Sequence, residues 1–389
     1  MDDTSTSTAF IPLLERMSLD DVTSRQVDLP SGARVWLVSD YDEVRMVLTD
    51  PRFSADDQVP GYPRMLPAPP QPGAMSFLRM DAPQHGAVRR VLTPSFTMRR
   101  IEKMRPVIEE ATRRLIGDMR DAGPPADLID RFALPLPSLV ICQLLGVPYE
   151  DHGVFQEHSR AMLSIDSTAE QATAAITALG DYLRTLALTR RTDPGEDLLS
   201  TAVQQQEAAG MTDEEVVAMA RLLLIAGHET TANMLGLCVL TLFEHPEQLR
   251  ALREDRQLVK PAVEELLRYH SIVRTAVGRV AVDDVRLSDG RTIRAGEGVV
   301  LGLKRANWDN RFRTTPGDVD IHREVRGHLA FGYGMHQCIG QTLARLELHI
   351  ALNELLDAFP GLRAACPLED IRVRDNAVIR GLHSLPVAW

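Results

Sequence analysis

A long apolar segment without proline constrains the fold more than any other feature of the sequence. Thr212 and Glu215 open it with the spacing of a capping box, a signal for the start of a helix, and the next proline is Pro246. An uninterrupted helix over this range would extend about 50 Å. Arg221 and Glu229 interrupt its apolar residues, so it is not the nearly uncharged span that a bilayer requires. We therefore predict a long central helix, residues 212–245, that crosses the core of a large folded body.

The composition fits a soluble globular protein that binds neither nucleic acid nor membranes. Hydrophobic residues make up 44% of the 389 residues and charged residues 25%, close to globular averages. The 54 acidic and 43 basic side chains leave a net charge of −11, which disfavours both of those partners. The first residues, MDDTSTST, lack the positive charge and the apolar run of a signal peptide. We expect a single domain over residues 1–389 and a cytoplasmic location.

Hydrophobic periodicity predicts a mainly α fold with a small β-rich region. Apolar residues three and four apart predict helices around 88–96, 101–119, 136–145 and 172–188. Short valine-rich runs bounded by glycine or aspartate predict strands near 33–38, 277–285, 298–303 and 371–379. The helices should therefore form the main body, with a minor sheet beside them.

A proline-rich stretch within residues 55–80 interrupts this pattern. A solvated, polyproline-like linker and an ordered loop that lines a ligand cavity are both consistent with its composition. In the second interpretation, Met75 and Phe77 supply apolar contacts to a substrate. The residues themselves leave both interpretations open.

The segment FGYGMHQCIG, residues 331–340, combines three glycines with a cysteine in front of a helical pattern that runs from Ile339 to Phe359. Cys338 is therefore expected to open a helix, where backbone N–H groups and the helix dipole lower the pKa of a thiol and favour metal binding. A buried structural cysteine is an equally simple interpretation. A zinc site with His336 lacks two further ligands nearby, and the glycine spacing departs from that of a dinucleotide-binding loop.

The longer string FGYGMHQCIGQTLAR resembles the haem-binding signature of the cytochrome P450 family, FGxGxHxCxGxxLAR, and matches it at every fixed position. The resemblance implies the cytochrome P450 fold, haem b as the cofactor, and a haem-thiolate loop and helix over residues 331–345. It also implies that Cys338 is the thiolate ligand of the haem iron. The cofactor-binding residues of this segment are then Phe331, Gly332, His336, Cys338 and Gly340.

A second motif, AGHETT, lies in the middle of the predicted long helix. By itself it is a polar stripe on a helix, in which glycine and threonine weaken regular geometry. Beside a haem it resembles the oxygen-activation motif of the same family. The resemblance implies that Glu229 relays protons and that Thr230 forms a hydrogen bond to dioxygen, with Ala226 and Gly227 next to the cofactor.

Two groups of charged residues also match motifs of the cytochrome P450 family. Glu265 and Arg268 are three apart on a helix, an ordinary surface pair on their own, but they resemble the family's structural ExxR ion pair, which Arg323 would complete. Four further residues match those that bind the two haem propionates: His85, Arg89, Arg279 and His336.

The resemblance implies a haem-thiolate monooxygenase that inserts one atom of dioxygen into a lipophilic small molecule, by hydroxylation or epoxidation. We expect a secondary-metabolite intermediate as the substrate, and broad xenobiotic oxidation fits the same apolar pocket. By position, the pocket residues are Met75, Phe77, Leu223, Ile272, Val273, Val277 and Ile379.

Electrons should come from a partner, because 389 residues leave no room for a flavin or nicotinamide domain. The family implies a ferredoxin and a ferredoxin reductase. A basic cluster, Arg99, Arg100, Lys103 and Arg105, either docks an acidic ferredoxin or is a solvated helix face. We expect the protein to be a monomer.

Other classes of function stay open at this point. A haem-binding sensor that never turns over has no need of a proton relay, so Glu229 and Thr230 argue against it. Atypical family members that consume peroxide, or that couple their substrates, would carry the same motifs.

Overall fold

The structure of the protein, a computed structural model, describes residues 23–64, 76–148, 151, 153, 157–158, 161, 168–274, 277–312, 315, 317–374 and 379–389. These residues form two compact units. The first takes its residues from Met1–Pro70, Gly236–Cys338 and Cys366–Leu385, and the second from Gln71–Leu235, Ile339–Ala365 and Pro386–Trp389. Residues 65–75 of the proline-rich stretch, Met75 among them, lie outside the described residues. The single domain over residues 1–389 stays a prediction.

Helices dominate both units, which confirms the predicted mainly α class. The α-helices are α1 (Tyr41–Thr49), α2 (Gln84–Leu92), α3 (Met98–Glu102), α4 (Arg105–Ala122), α5 (Pro135–Leu145), α6 (Ala169–Thr192), α7 (Leu198–Gln205), α8 (Asp213–Glu244), α9 (Pro246–Glu254), α10 (Val259–His270), α11 (Leu303–Asn307) and α12 (Gln341–Ala358). The first unit holds α1, α9, α10 and α11, and α8 passes from the second unit to the first after Leu235.

The strands form three small sheets. They are β1 (Arg25–Asp28), β2 (Arg34–Val38), β3 (Phe53–Ser54), β4 (Ala126–Asp127), β5 (Gly278–Ala281), β6 (Val285–Arg286), β7 (Thr292–Ile293), β8 (Gly298–Leu301), β9 (Arg363–Ala364) and β10 (Pro386–Ala388). The first unit contains a five-stranded sheet in the order β1-β2-β8-β5-β3 and the β6-β7 pair, and the second unit contains β4-β10-β9. In the large sheet only β2 and β8 run parallel.

Strand β2 lies inside the large sheet, between β1 and β8, and both of its faces are apolar. Val35 and Leu37 pack with β1 on one face, while Trp36 and Val38 join the larger core of the first unit on the other. Successive side chains of a strand point to opposite faces, so an unbroken apolar run suits a strand that is covered on both sides.

The predicted strands at 33–38, 277–285 and 298–303 are confirmed as β2, β5 with β6, and β8. The predicted strand at 371–379 is wrong for the residues described there, which make only isolated bridges, Val373 to Leu382 and Ile379 to Val273. Val373 and Ile379 each find a single bridging partner instead of a continuous neighbouring strand, and β-propensity without such a strand does not make a strand.

Helix α8 begins as predicted. The Thr212 hydroxyl accepts from the Glu215 N–H at 3.2 Å, and the Glu215 carboxylate accepts from the Thr212 N–H at 2.7 Å, a complete capping box. Among the described residues, α8 is the one helix long and apolar enough to cross a membrane, but 72% of its most apolar window is buried inside the structure. That burial is typical of a helix in a protein core.

Helix α12 packs against α4, and α4 packs against α5, to form the core of the second unit. The buried face of α12 carries one acid: Glu347 is 3% exposed. Desolvation raises the pKa of this carboxyl well above its usual range. Burial therefore favours the neutral, protonated form of Glu347 in the folded protein.

We expect Glu347→Gln to stabilise the protein at about pH 8 and to change its stability little at about pH 4. The unfolded chain ionises this carboxyl above about pH 4.3, while the folded protein keeps it protonated to a higher pH because its pKa is raised. The wild-type free energy of unfolding therefore falls by about 1.4 kcal/mol per pH unit, relative to the variant, until the folded-state pKa is reached. Urea unfolding of both proteins across this pH range measures the difference.

Glu354→Gln provides the matched control, at a half-buried position two turns further along the same helix. The free energy of unfolding of this variant should change with pH in the same way as that of the wild type. If the two glutamine variants behave alike, Glu347 is not a neutral buried acid.

Candidate active site

The predicted cysteine segment forms a closed loop in the first unit. The Cys338 N–H donates to the Phe331 carbonyl oxygen at 2.9 Å, and the Gln337 N–H donates to that of Gly334 at 3.0 Å. A short 3-10 turn over Gly334–His336 lies within the loop, and the His336 side chain is half-buried. We call residues 331–338 the thiolate loop.

Cys338 does not open a helix, contrary to the sequence expectation. Helix α12 begins at Gln341, with Gly340 in a non-helical conformation as its N-cap. The N–H of Cys338 is already bound to Phe331, so the loop's own hydrogen bond replaces an intrahelical one. The cysteine is thus presented by a turn that precedes the helix.

Cys338 is the exposed member of the four cysteines, all of which are described. Cys142 and Cys238 are buried, and burial raises the pKa of both thiols, which makes them poor metal ligands. Cys366 is half-buried. Cys338 therefore offers the most accessible sulfur for chemistry.

The backbone beside the thiolate loop leaves room for a bulky group. Gly332, within the loop, has φ +69°, a conformation in which a side chain would be strained, and no described atom outside residues 331–333 lies within 4 Å of the position that a Cβ would take. A flat cofactor can therefore approach the loop backbone at this point.

The predicted ion pair is a fully buried cluster of three charges in the first unit. Glu265 binds Arg268 through both carboxylate oxygens, at 2.7 and 2.8 Å, and Arg323 Nε lies 3.5 Å from Glu265 Oε1. None of the three side chains is more than 2% exposed. The acid at position 264, four residues before Arg268, instead contacts His328 at 3.0 Å.

Asn307 connects this ion cluster to the start of the thiolate loop. Arg268 Nη1 donates to the Asn307 carbonyl oxygen at 3.0 Å, and the Leu329 N–H donates to Asn307 Oδ1 at 2.6 Å. Asn307 Nδ2 in turn donates to Ser271 Oγ at 2.7 Å. The sequence gives no signal for Asn307, because its partners lie 22 to 39 residues away along the chain.

Arg279 lies in the buried strand β5 and is 5% exposed. Its Nη1 donates to the carbonyl oxygen of Gly278 at 2.7 Å. A guanidinium this deeply buried favours an anionic group close to it, because desolvation of a charge is costly.

The predicted pocket residues of the first unit lie around one bridge between two chain segments. Val273 pairs with Ile379, both half-buried, and the Arg380 N–H donates to the Ile272 carbonyl oxygen at 2.9 Å. Ile272 itself is 8% exposed, and Val277 packs against the sheet core. Val273 and Ile379 are therefore the more accessible of the four.

In the second unit, the middle of α8 is accessible although most of the helix is buried. Ala226 is exposed, and Gly227, Glu229 and Thr230 are half-buried, whereas Leu223 is 5% exposed. Positions 226, 229 and 230 lie on one face of a helix. This face therefore borders an open space and carries an acid beside an alcohol.

Side-chain hydrogen bonds hold this part of α8. Thr230 Oγ1 donates to the Ala226 carbonyl oxygen at 2.5 Å, and Asn233 Nδ2 donates to that of Glu229 at 2.8 Å. His228, 4% exposed, donates from Nε2 to the Leu134 carbonyl oxygen at 3.0 Å. Sequence reasoning missed His228 as a supporting residue, because its partner is 94 positions away.

Helix α2 in the second unit carries the first predicted pair of propionate ligands. His85 is 2% exposed, with its ring 6.5 Å from that of Phe77, and Phe77 is also buried. Arg89 follows one turn later and is half-buried. The two residues share one helical face, as predicted.

The predicted residues divide between the units and supply different chemistry. The first unit provides an accessible thiol and buried cations, and the second provides an acid and an alcohol on an accessible helix face. The first unit contains Arg279, Phe331, Gly332, His336, Cys338 and the ion cluster, and the second contains His85, Arg89, Leu223, Ala226, Gly227, Glu229, Thr230 and Gly340.

Comparisons with known proteins agree on one family. A family model described as Cytochrome P450 matches residues 154–362. Vitamin D3 dihydroxylase of Streptomyces griseolus is 47% identical over 369 residues, 94% of this chain and 90% of that protein. Pentalenic acid synthase of Streptomyces avermitilis is 44% identical over 385 residues, 98% of this chain and 94% of that protein.

A solved structure shows the same fold. The mycinamicin VIII C21 methyl hydroxylase MycCI from Micromonospora griseorubida, bound to mycinamicin VIII, superposes with a TM-score of 0.87 at 40% identity, covering 96% of both chains. Identity at this level over nearly the whole length indicates a shared cofactor and type of reaction. The chain therefore belongs to the cytochrome P450 family and is a haem b monooxygenase.

Proposed function

We propose that Cys338 binds the haem iron as a thiolate and that Glu229 and Thr230 deliver protons during turnover. We further propose that the enzyme oxygenates a lipophilic intermediate of secondary metabolism, as a cytoplasmic monomer that receives electrons from a ferredoxin and its reductase. The observation that carries the proposal is the accessible Cys338 thiol in a closed glycine-containing loop.

The residues present fit a haem. Cys338, which is accessible, would bind the iron, the space beside Gly332 would accept a flat ring, and the buried charge of Arg279 would suit a propionate. Bound haem supplies the redox chemistry that activates dioxygen. The proposed propionate ligands are His85, Arg89, Arg279 and His336, and the other proposed cofactor-binding residues are Ala226, Gly227, Phe331, Gly332 and Gly340.

We expect Cys338→Ser to abolish the thiolate signature of the reduced protein in carbon monoxide. A thiolate ligand moves the Soret band of this complex far to the red of a histidine-ligated haem, and a serine hydroxyl cannot replace the sulfur. Absorption spectroscopy of the haem-loaded proteins measures the band. Cys366→Ser, at the half-buried cysteine, is the control and should keep it. An unchanged band in the Cys338 variant would refute the assignment of the ligand.

The acid and the alcohol on α8 are suited to holding and moving protons. Thr230 donates its own hydrogen to the Ala226 carbonyl oxygen, which leaves the lone pairs of its oxygen able to accept a second hydrogen bond. Glu229 is half-buried, so its carboxyl can exchange protons with water that reaches this face. The bond from His228 to Leu134 keeps that helix face in a fixed orientation within the second unit.

We expect Thr230→Ala to separate electron consumption from product formation. Loss of a positioned proton-transfer group should lower product formation by about a hundredfold, the lower end for general acid–base catalysis, while electrons are still consumed and hydrogen peroxide accumulates. Product, peroxide and consumed reductant are measured in the same reaction.

Thr230→Ser keeps the hydroxyl and should retain coupling, and Thr231→Ala tests whether any nearby truncation has the same effect. Full coupling in Thr230→Ala would remove this hydroxyl from the mechanism. If the wild-type protein neither consumes reductant nor forms product with any of the substrates tested, the result would favour the non-turnover sensor.

The substrate class is inferred from the relatives and from the pocket side chains. The names of the relatives refer to the small molecules vitamin D3, pentalenic acid and mycinamicin VIII. Val273 and Ile379 offer accessible apolar surface that would suit such a molecule. Screening terpenoids, polyketides and macrolides for a shift of the ferric haem from low to high spin would identify candidates.

Two of the four residues in the basic cluster proposed to bind the ferredoxin already form ion pairs within the protein. Arg100 lies 3.3 Å from Glu196, and Arg105 lies 2.9 Å from Glu102. Arg99 and Lys103 are exposed, and they are four residues apart at α3, beside Met98, which is 65% exposed. We propose that Arg99 and Lys103 dock an acidic ferredoxin around this apolar side chain.

We expect the double variant Arg99→Glu, Lys103→Glu to be reduced by ferredoxin about tenfold more slowly at low salt, with a smaller effect at high salt, because charge steering is screened. Stopped-flow reduction measures the rate. Substrate affinity, measured from the spin shift, should not change. The control reverses two exposed charges elsewhere, Arg250→Glu and Lys260→Glu, and an equal loss in both double variants would exclude specific docking.

A further inference from the structure

Tyr333, in the thiolate loop, is held by an arginine from α1. Arg45 Nη2 donates to Tyr333 Oη at 2.5 Å, and its guanidinium carbon lies 4.2 Å from the centre of the Tyr333 ring. The same carbon is 5.6 Å from the centre of the Tyr41 ring, one turn earlier on α1. One guanidinium therefore combines a hydrogen bond with cation–π contacts to two rings.

The backbone of the loop also lies directly against α1. A Cβ at Gly334, where φ is +73°, would come within 2.6 Å of the Leu48 carbonyl oxygen and 3.0 Å of Thr49 Cγ2. A side chain at Gly334 would therefore push the loop away from the end of α1. Tyr333 and Gly334 form one contact surface, which we call the α1 seat of the loop.

Helix α1 is itself anchored close to the start of the loop. The Tyr41 hydroxyl donates to the Gly327 carbonyl oxygen at 2.6 Å. The ring of Tyr41 also contacts a second guanidinium, that of Arg311, whose carbon is 3.9 Å from the ring centre and which pairs with Asp42 at 3.0 Å. Arg45 and Arg311 thus stack on the same ring, but the contacts of Arg45 alone extend to the loop.

We propose that Arg45 is a positioning residue that acts through Tyr333 to fix the loop carrying Cys338, and so sets the strength of the sulfur ligand. The proposal rests on the assignment of Cys338 as that ligand. Among the described residues, the backbone bonds that close the loop start from Cys338 and Gln337 and neither is at Tyr333, where the side chain supplies the restraint. A shift of the loop changes the orientation of the sulfur and of the N–H groups around it, which tune a metal–thiolate bond.

Arginine suits this role better than lysine. Its planar group can stack on an aromatic ring and donate a hydrogen bond at the same time, whereas an ammonium is a compact point charge. The hydrogen bond to Tyr333 raises the pKa of Arg45 above its usual value, so the cation is present at every pH at which the protein is folded.

The test compares Arg45→Met with Arg311→Met in the haem-loaded protein. Both changes remove a guanidinium from the face of Tyr41, but Arg45→Met alone removes the contact with Tyr333. In Arg45→Met, we expect the reduced carbon monoxide complex to lose its red-shifted band about tenfold faster in moderate urea, as for other losses of outer-sphere support to a metal ligand. The reduction potential of the haem should also shift. Arg311→Met should match the wild type in both measurements.

Two further variants define the contact. Tyr333→Phe keeps the aromatic ring but removes the hydroxyl, and Arg45→Lys keeps the positive charge but removes the planar guanidinium. For each variant, the rate of band loss and the reduction potential should fall between those of the wild type and of Arg45→Met. Arg45→Met could instead lower the unfolding midpoint, measured by circular dichroism, while the reduction potential stays unchanged and the red-shifted band is lost no faster than the protein unfolds. Arg45 would then be merely structural and the proposal would be wrong. A wild type without the red-shifted band would instead overturn the thiolate assignment itself.

Discussion

The buried cluster of Glu265, Arg268 and Arg323 is the constraint on which the rest of the first unit depends. Charges removed from water are tolerated only where each is paired and hydrogen-bonded, and removal of one partner from such a cluster typically costs about 3–5 kcal/mol. Glu265 meets this condition with two bonds from Arg268, a contact to Arg323 and a bond from the Asp320 N–H at 3.0 Å. Arg268 also binds main-chain oxygens of Asn307 and Asp318. These bonds fix α10, the end of α11 and the segment before the thiolate loop relative to one another.

The thiolate loop is supported from two directions within that unit. Asn307, which is bound to the ion cluster, accepts a hydrogen bond from Leu329 just before the loop. Inside the loop, Arg45 binds Tyr333, and the end of α1 packs against Gly334. The loop's own two backbone bonds close it around the turn. An accessible cysteine on an otherwise restrained loop suits the ligand role proposed for Cys338, because the sulfur would have to reach the cofactor without losing its orientation.

In the second unit, a long and mostly buried helix holds the reactive side chains, where the first unit uses a loop. This long helix buries most of its length, and His228 fixes its rotation by a bond to Leu134, so that one short face with Glu229 and Thr230 stays accessible. Polar groups that are placed by a rigid helix need little reorganisation to move a proton. In both units, then, a few reactive side chains are exposed only where buried contacts hold their backbone.

The sequence by itself determined the family, the long helix with its capping box, three of the four predicted strand regions, and the identity of the ion pair, because each depends on residues close together in the chain or on a fixed string. It did not determine where α12 begins, and its strand prediction at 371–379 was wrong for the residues described there. Only the tertiary structure brought Asn307, His228 and Arg45 to their hydrogen-bond partners, since each partner is from 22 to 288 positions away. Local patterns encode helices and motifs, whereas contacts between distant segments arise only when the chain packs.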